Sequence, residues 1–329
     1  MYAACVTLTK VLSVLTFLSV GSPGWSYGHY TPPVDTLNKS RLYSLTATGG
    51  VLYGSALIAL NNAWYKNTER SSFHTFNDWK EWRNMDKLGH SFTAYFETEL
   101  TYRGFLWTGM EQSTALWLSA GMGFLYQTTV ELFDGFSKKW GFSWFDTGFN
   151  VLGVSCFVAQ ELLWEEQRFR WKLSSWPKQY SDEPIFSNDE KFHSSVKKRA
   201  EDLFGKSRAE RFLKDYNAQT IWLSVNPNSF FKQSRIPKWL NVALGVSAEN
   251  LFGGFENRWI EQEYTFHLPS DKFPRYSQLF LAPDIDFSKI PVDQTWLKTI
   301  MTVLNIFKFP SPAIQINGQH TISWHWVYL

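Results

Sequence analysis

Long segments without any charged side chain are the feature that most constrains the fold of this chain. No charged residue occurs in the 24 positions between Arg41 and Lys66, in the 19 positions 112–130, or in residues 147–160. A further helical pattern, which does carry charges, lies between the first two segments. Because about 20 apolar residues suffice for a helix to cross a bilayer, residues 40–170 predict a bundle of about four apolar, membrane-associated helices. Whether the helices span a membrane, dip into it or form a soluble bundle stays open.

The N-terminus has the pattern of a signal peptide. Lys10 precedes the apolar run 11–20, and the small residues Ser26 and Gly28 follow it. This order is typical of a secretory signal, so residues 1–28 are predicted to be removed after Gly28, and a short N-terminal membrane anchor is the alternative. Either interpretation directs the chain out of the cytoplasm. The sequence contains only 2 cysteines, which excludes a disulfide framework and a cysteine-based metal site.

The remaining sequence divides into a charged connector at 171–215 and a β-rich part at 216–329. Residues 165–215 hold 22 acidic and basic side chains of mixed sign, which is typical of a solvated segment. Beyond it, apolar residues alternate with a period of two, which predicts an α+β protein. The predicted strands are 220–225, 241–247, 258–267, 276–287 and a final hairpin turning at Asn317-Gly318, with one helix at 295–307. The net charge of +2 excludes nucleic acid as the main partner.

Ionisable and amide side chains lie in narrow stripes on three of the apolar helices. At 100° per residue, the members of each stripe face one way; they are Asp86 and His90, then Gln127, Glu131 and Asp134, then Asp146 and Asn150. Buried carboxylates without partners are costly, so we expect the stripes to converge on a common centre with Lys87 at its rim. On the far side of the second helix, Glu99 and Arg103 are spaced for an ion pair.

Such a polar core has several chemical interpretations. Asp86, His90, Glu131 and Asp146 are candidate acid/base groups, and His90, Glu131, Asp134 and Asp146 are candidate ligands of a divalent metal such as Mn, Fe or Zn. A second interpretation is structural. In it, Asp86 and Asp146 cap their helices, and the other side chains form a hydrogen-bonded network that fixes the packing. A water-filled conduction path is the third.

The residues of these stripes also carry a family resemblance. The segment Asp86-Lys87-Leu88-Gly89-His90-Ser91-Phe92, followed by Glu131 and then by Asp146, Asn150 and Gly153, resembles the motif order of VanZ-like membrane proteins. The chain is more similar still to the YfiM-like predicted periplasmic lipoproteins, as are its segments at 284–287, 308–313 and 325–328. The resemblance implies a cell-envelope location and no established chemistry. One departure is that no cysteine follows the signal run, so we expect no lipid anchor at an N-terminal cysteine.

These observations predict an exported protein of the bacterial cell envelope, associated with membrane lipid on the periplasmic side, with the outer membrane favoured. Many tryptophans lie near the ends of the proposed helices, as in interfacial aromatic belts. We expect a structural or accessory role, involving membrane lipid and an envelope protein partner. The alternative is a membrane-embedded carboxylate/His enzyme, metal-dependent in one version, that acts on a lipid or cell-wall intermediate.

Overall fold

The computed structural model describes residues 37–66, 68–231, 235–319 and 321–328. The signal peptide predicted at residues 1–28 lies outside this range. The described chain is a mixed α+β fold, in which helices come first and a large antiparallel sheet follows.

Four long helices lie between residues 37 and 164 of the described chain. They are α1 (Lys39–Leu60), α2 (Met85–Trp107), α3 (Gln112–Gly135) and α4 (Trp144–Trp164). Side chains cap three of them. Asn38 accepts from the backbone N–H of Arg41, Glu111 accepts from two N–H groups at the start of α3, and Ser143 accepts from that of Asp146. Each cap satisfies donors that the first helical turn leaves unpaired, which fixes where the helix begins.

The expected bundle of about four apolar helices is wrong. Among the described residues, only α1 is long and apolar enough to cross a membrane. Helices α2, α3 and α4 pack against one another through surfaces that bury polar groups. The buried polar side chains are Lys87, Ser91, Thr98, Glu99, Ser119, Gln127, Glu131, Asp146, Asn150 and Gln160. The uncharged segments therefore do not mark four lipid-facing helices, because part of their apolar surface packs inside the protein.

Two glycines allow the helices to approach closely. A Cβ atom at Gly123 of α3 would lie 2.2 Å from Thr98 Oγ1 of α2. A Cβ at Gly153 of α4 would lie 2.2 Å from the backbone oxygen of Ser91, also on α2. Helix α2 therefore lies between α3 and α4, and each of these neighbours contacts it closely at a glycine.

The second half of the chain forms one large sheet and two small hairpins. Six antiparallel strands have the order β1-β4-β5-β8-β9-β10, and β2 pairs with β3 and β6 with β7. The strands are β1 (Phe169–Ser175), β2 (Pro184–Phe186), β3 (His193–Ser195), β4 (Gln219–Val225), β5 (Leu240–Glu249), β6 (Arg258–Glu261), β7 (Tyr264–His267), β8 (Tyr276–Ile285), β9 (Ser311–Asn317) and β10 (Ile322–Tyr328). Three short helices complete the fold, namely α5 (Val196–Phe204), α6 (Arg208–Lys214) and α7 (Thr295–Leu304).

Helix α2 packs on one end of the large sheet. Met85 at the start of α2 is 1% exposed and shares a core with Leu173, Ile221 and Leu251. Strand β1 crosses the predicted boundary between the helical part and the connector, so the first residues of the connector belong to the sheet. The domain limits predicted from the sequence stay predictions.

Helix α2 covers only part of the sheet face on which it packs. One cross-strand row of apolar side chains follows the register Leu173, Ile221, Val246, Leu279, Ile316 and Ile322. Leu173 and Ile221 are buried below α2, whereas Leu279 is 55% and Ile322 is 71% exposed. The strands β5, β8, β9 and β10 thus present an apolar face that the rest of the described chain leaves open.

A buried group of paired charges, here called the sheet network, joins α2 to β1 and the end of β8: Glu99, Arg103, Arg170, Lys172, Asp284 and Asp286. Lys172 Nζ lies 2.8 Å from Asp284 Oδ2, and both side chains are fully buried. Arg170 bridges Glu99 at 2.9 Å and Asp286 at 3.4 Å. The predicted ion pair between Glu99 and Arg103 is confirmed, with Nε 3.0 Å from Oε1.

Candidate functional site

The candidate site lies at the N-terminal end of α2, where an unusual backbone introduces the helix. Trp82, Arg83 and Asn84 have positive φ values of 48°, 53° and 65°, although none is a glycine. Such conformations cost free energy and tend to occur at functional positions. The bend is held by a hydrogen bond from the Trp82 N–H to the Gly254 oxygen at 2.8 Å. The chain entering α2 is therefore fixed against a loop from the β-rich part.

Lys87 lies at the middle of a group of acids. Its side chain is fully buried, and its ammonium contacts Asp78, Asp146 Oδ1 at 2.8 Å and Asp86 Oδ2 at 3.4 Å. These contacts raise the pKa of Lys87 above its usual value although burial opposes the charge. Lys87 is thus an internal counter-ion and not a residue at the rim.

His90, one turn later, faces Glu131 and the same carboxylate of Asp146. Its Nδ1 lies 3.0 Å from Asn150 Oδ1. Its Nε2 lies 3.6 Å from Glu131 Oε1 and 3.9 Å from Asp146 Oδ1. The two nitrogens therefore have different surroundings, an amide oxygen on one side and a pair of carboxylates on the other.

Ser143, the cap of α4, joins three of the acids. Its Oγ donates to Asp78 Oδ1 at 2.6 Å and accepts from the Asp146 N–H at 2.9 Å. Its N–H donates to Glu131 Oε2 at 3.1 Å. We name the connected set the polar centre; it comprises Asp78, Asp86, Lys87, His90, Glu131, Ser143, Asp146 and Asn150.

Two tyrosines hold the outer acids. Tyr216, which precedes β4, donates to Asp86 Oδ1 at 2.6 Å, so the second half of the chain contributes to the polar centre. Tyr65 donates to Asp134 Oδ1 at 2.7 Å. Two residues of the predicted stripes lie outside the polar centre within the described chain. Asp134 lies beside it, bonded to Tyr65, and Gln127 donates to Glu97 Oε2 at 2.7 Å.

The charges of the polar centre do not balance. Four carboxyl groups surround one ammonium and one imidazole. Burial raises the pKa of Glu131, and burial together with Asp86 raises that of Asp146. Burial would lower the pKa of His90, but Asp146, Asp86 and Glu131 outweigh it and raise the pKa to about 9. The centre therefore favours bound positive charge.

The proposed capping role fits neither acid. Ser143 caps α4, and Asp146 lies in its first turn. Asp86 lies in the first turn of α2, and its side chain bonds to Tyr216. A metal-binding arrangement does occur: single ligand atoms of Asp86, His90 and Asp146 all lie within 4.8 Å of one another.

Sequence reasoning missed Asp78, Ser143 and Tyr216. Asp78 lies in the irregular segment before α2, outside every helical stripe. Ser143 had a local signal, since serine before an apolar helix is a favoured N-cap. Tyr216 had none, because it is 130 residues from its partner Asp86.

Comparison with known proteins gives one family match. Residues 75–160 match the family described as "Predicted periplasmic lipoprotein (DUF2279)". The matched segment is less than half of the chain, and it contains the whole polar centre except the contact from Tyr216. The match supports the resemblance to the YfiM-like predicted periplasmic lipoproteins and an exported, envelope-associated protein. It does not extend to the VanZ-like proteins and does not distinguish the outer from the inner membrane. No curated protein and no solved structure matches the chain.

Proposed function

We propose that this protein is an accessory component of the cell envelope that binds membrane lipid, with α1 inserted in the bilayer. The observation that carries the proposal is the surface of α1. Among its 22 residues only Leu45 is buried by the rest of the protein. A helix of this length rises about 33 Å at 1.5 Å per residue, which matches a hydrocarbon core of about 30 Å.

The ends of α1 have the residues expected at a membrane interface. Lys39 and Arg41 lie at its start, and Lys66 follows its end. The Arg41 guanidinium lies 5.2 Å from the ring centre of Trp107. Cationic and aromatic side chains at both ends of an apolar helix favour an interfacial position for those ends.

The helix α3 extends the same apolar surface. Tyr53 of α1 contacts Tyr126 of α3, with 4.9 Å between ring centres, and bonds to Thr129 at 2.6 Å. On α3 the exposed apolar side chains include Trp117, Leu118, Phe124, Leu125, Leu132 and Phe133. This continuity supports lipid as the occupant of the surface that α1 and α3 share.

The uncovered sheet face gives further support. Its exposed positions are apolar, whereas the opposite face buries both an apolar cluster around Trp222 and Phe280 and the ion pair of Lys172 with Asp284. A continuous exposed apolar face on neighbouring strands is expected where a sheet contacts lipid or a partner. A sheet with that face in water would carry polar side chains there.

The proposal is tested by alkaline washing of membranes that contain the full chain, followed by liposome flotation. Val51 of α1 is 68% exposed, so Val51→Asp should leave the fold intact and shift the protein from the washed pellet to the supernatant. A matched control is Ile260→Asp on β6, where Ile260 is 71% exposed; it should stay in the pellet. Release of the wild-type protein by the wash, or equal behaviour of both variants, would contradict membrane insertion of α1.

A carboxylate/His enzyme is the second candidate, favoured by one observation. Glu131 Oε1 is buried beside His90 and accepts no hydrogen bond among the described residues. Solvent reaches the centre at its edge, where the Asp86 side chain is 23% and the His90 side chain 14% exposed. A lipid or cell-wall substrate would have to enter there, which would require α2 or the preceding loop to move.

A further inference from the structure

The Glu131 side chain presents an unpaired oxygen to the interior of the polar centre. The side chain is 1% exposed, and Oε2 accepts from the Ser143 N–H. Within the described chain no hydrogen bond reaches Oε1, and its neighbour His90 Nε2 is 3.6 Å away. A buried carboxylate oxygen normally requires a hydrogen bond or a cation. The orphaned atom therefore indicates a positive group that lies between it and His90.

The state of His90 is set by Asn150. An amide oxygen can only accept, so His90 Nδ1 must carry the proton that bonds to Asn150 Oδ1. The other ring nitrogen, Nε2, points towards Glu131 and Asp146. With a metal bound, the lone pair of Nε2 would face the ion; without one, a proton on Nε2 would take the same place between His90 and the two carboxylates. Histidine ligands of metals usually have this arrangement, with the other ring nitrogen donating to an oxygen.

The separations also suit a bound ion. Bonds of about 2.0–2.2 Å in a tetrahedron place ligand atoms roughly 3.3–3.6 Å apart. The two distances from His90 Nε2, 3.6 Å to Glu131 Oε1 and 3.9 Å to Asp146 Oδ1, exceed hydrogen-bond length and need a contraction of a few tenths of an ångström at most. A carboxylate oxygen of Asp86 lies within 4.8 Å of the ligand atoms of His90 and Asp146.

Lys87 does not replace such an ion. Its ammonium contacts Asp78, Asp86 and Asp146, and its only contact on the His90 side is the shared oxygen of Asp146. Four carboxyl groups of the polar centre share Lys87 and His90. A divalent cation between His90 and Glu131 would add positive charge on the side of the centre that the Lys87 ammonium does not reach.

We infer that the polar centre binds one divalent transition-metal ion, with Zn²⁺ the first candidate and Mn²⁺ the second, between His90 Nε2, Glu131 Oε1 and Asp146. Asp86 supplies the fourth ligand, and Asn150 orients His90. One imidazole with several carboxylates is a donor set that these ions accept. The inference is independent of the membrane role of α1.

The test is equilibrium dialysis of the full chain in detergent micelles, first stripped with a chelator and then loaded with Zn²⁺ or Mn²⁺. Metal analysis should give one ion per chain. His90→Gln and Glu131→Gln should each weaken the affinity at least tenfold. The matched control is Asp134→Asn, which removes a neighbouring carboxyl that bonds to Tyr65 and should change the affinity less than threefold.

Folding and ligation are separated by a second measurement. Glutamine at position 131 can still accept from the Ser143 N–H, so Glu131→Gln should retain the circular dichroism spectrum and the cooperative unfolding of the wild type. Its melting temperature should not rise with added Zn²⁺, whereas that of the wild type should. Less than stoichiometric metal in the wild type would overturn the inference. It would also be overturned if Asp134→Asn weakened binding as much as Glu131→Gln.

Discussion

The polar centre and the sheet network are both buried and charged, but only the sheet network has equal numbers of acids and bases. In the sheet network three cationic side chains accompany three carboxylates. In the polar centre four carboxylates share Lys87 and His90. Both groups are far enough from water that a missing partner is expensive.

Hydrogen bonding separates the two groups less sharply than charge does. Asp284 of the sheet network uses both oxygens, since Oδ2 accepts from Lys172 and Ser224 and Oδ1 accepts from the Phe309 N–H. Asp286 Oδ2 accepts no hydrogen bond within the described chain, but it faces Arg170 Nε at 3.4 Å. In the polar centre Glu131 Oε1 and Asn150 Nδ2 also have no hydrogen-bond partner in the described chain. Balanced charge pairs stabilise a fold, whereas an excess of one charge is the arrangement of a binding site, and this difference can be tested.

The largest effect is expected when a balanced pair is broken. Lys172→Met should leave Asp284 buried with a negative charge and lower the free energy of unfolding by about 3–5 kcal/mol. The control Lys178→Met removes a partly exposed partner of Glu249 and should cost less than about 1 kcal/mol. Urea unfolding of both variants measures the two losses. Similar losses in the two variants would contradict a stabilising role of the sheet network.

Acid should weaken the sheet network through Glu99. Burial would raise the pKa of Glu99, but Arg170 and Arg103 outweigh it and lower the pKa to about 2. Its folded pKa lies below the unfolded value of about 4.3. Its contribution is therefore complete above that value and is lost as the pH falls towards about 2. The difference between the folded and the unfolded pKa of Glu99 corresponds to about 3 kcal/mol in the free energy of unfolding.

Comparison with Glu99→Gln isolates this contribution. At neutral pH the variant should be less stable than the wild type by about 3 kcal/mol, and the difference should shrink as the pH falls from 5 towards 3. The measurement is the free energy of unfolding at several pH values. A difference that stays constant with pH would contradict the ion pairing of Glu99.

The sequence predicted the strands better than the character of the helices. Alternating apolar residues predicted β4, β5 and β8 with ends within two residues of those observed, and Asn317 does end β9. The segment 258–267 was predicted as one strand and is a hairpin. Its turn residues Gln262 and Glu263 have positive φ, a conformation for which their side chains give no sequence signal.

The apolar helices were misinterpreted for a physical reason. An apolar helix surface that packs on other helices has the same composition as one that faces lipid, so length and composition could not separate α1 from α3 and α4. The stripes were more informative, because polar residues at helical spacing must face one way whatever surrounds the helix. They could not reveal Asp78 or Tyr216, whose contacts depend on the tertiary fold.

The smallest effect, and the most discriminating, is expected at Glu131. Burial raises the pKa of Glu131 above its usual value. The contribution of this acid to stability is therefore complete below its unfolded pKa and is lost as the pH rises through its folded pKa. In chelator at neutral pH, Glu131→Gln should therefore leave stability unchanged or raise it by about 1 kcal/mol, the net size of one hydrogen bond. Saturating Zn²⁺ should reverse the order, because only the wild type gains binding free energy. Urea unfolding with and without the metal measures both signs.

The same chemical change at Glu99 is expected to destabilise the protein. A comparable loss at Glu131 in chelator would mean that the polar centre is internally compensated after all, like the sheet network.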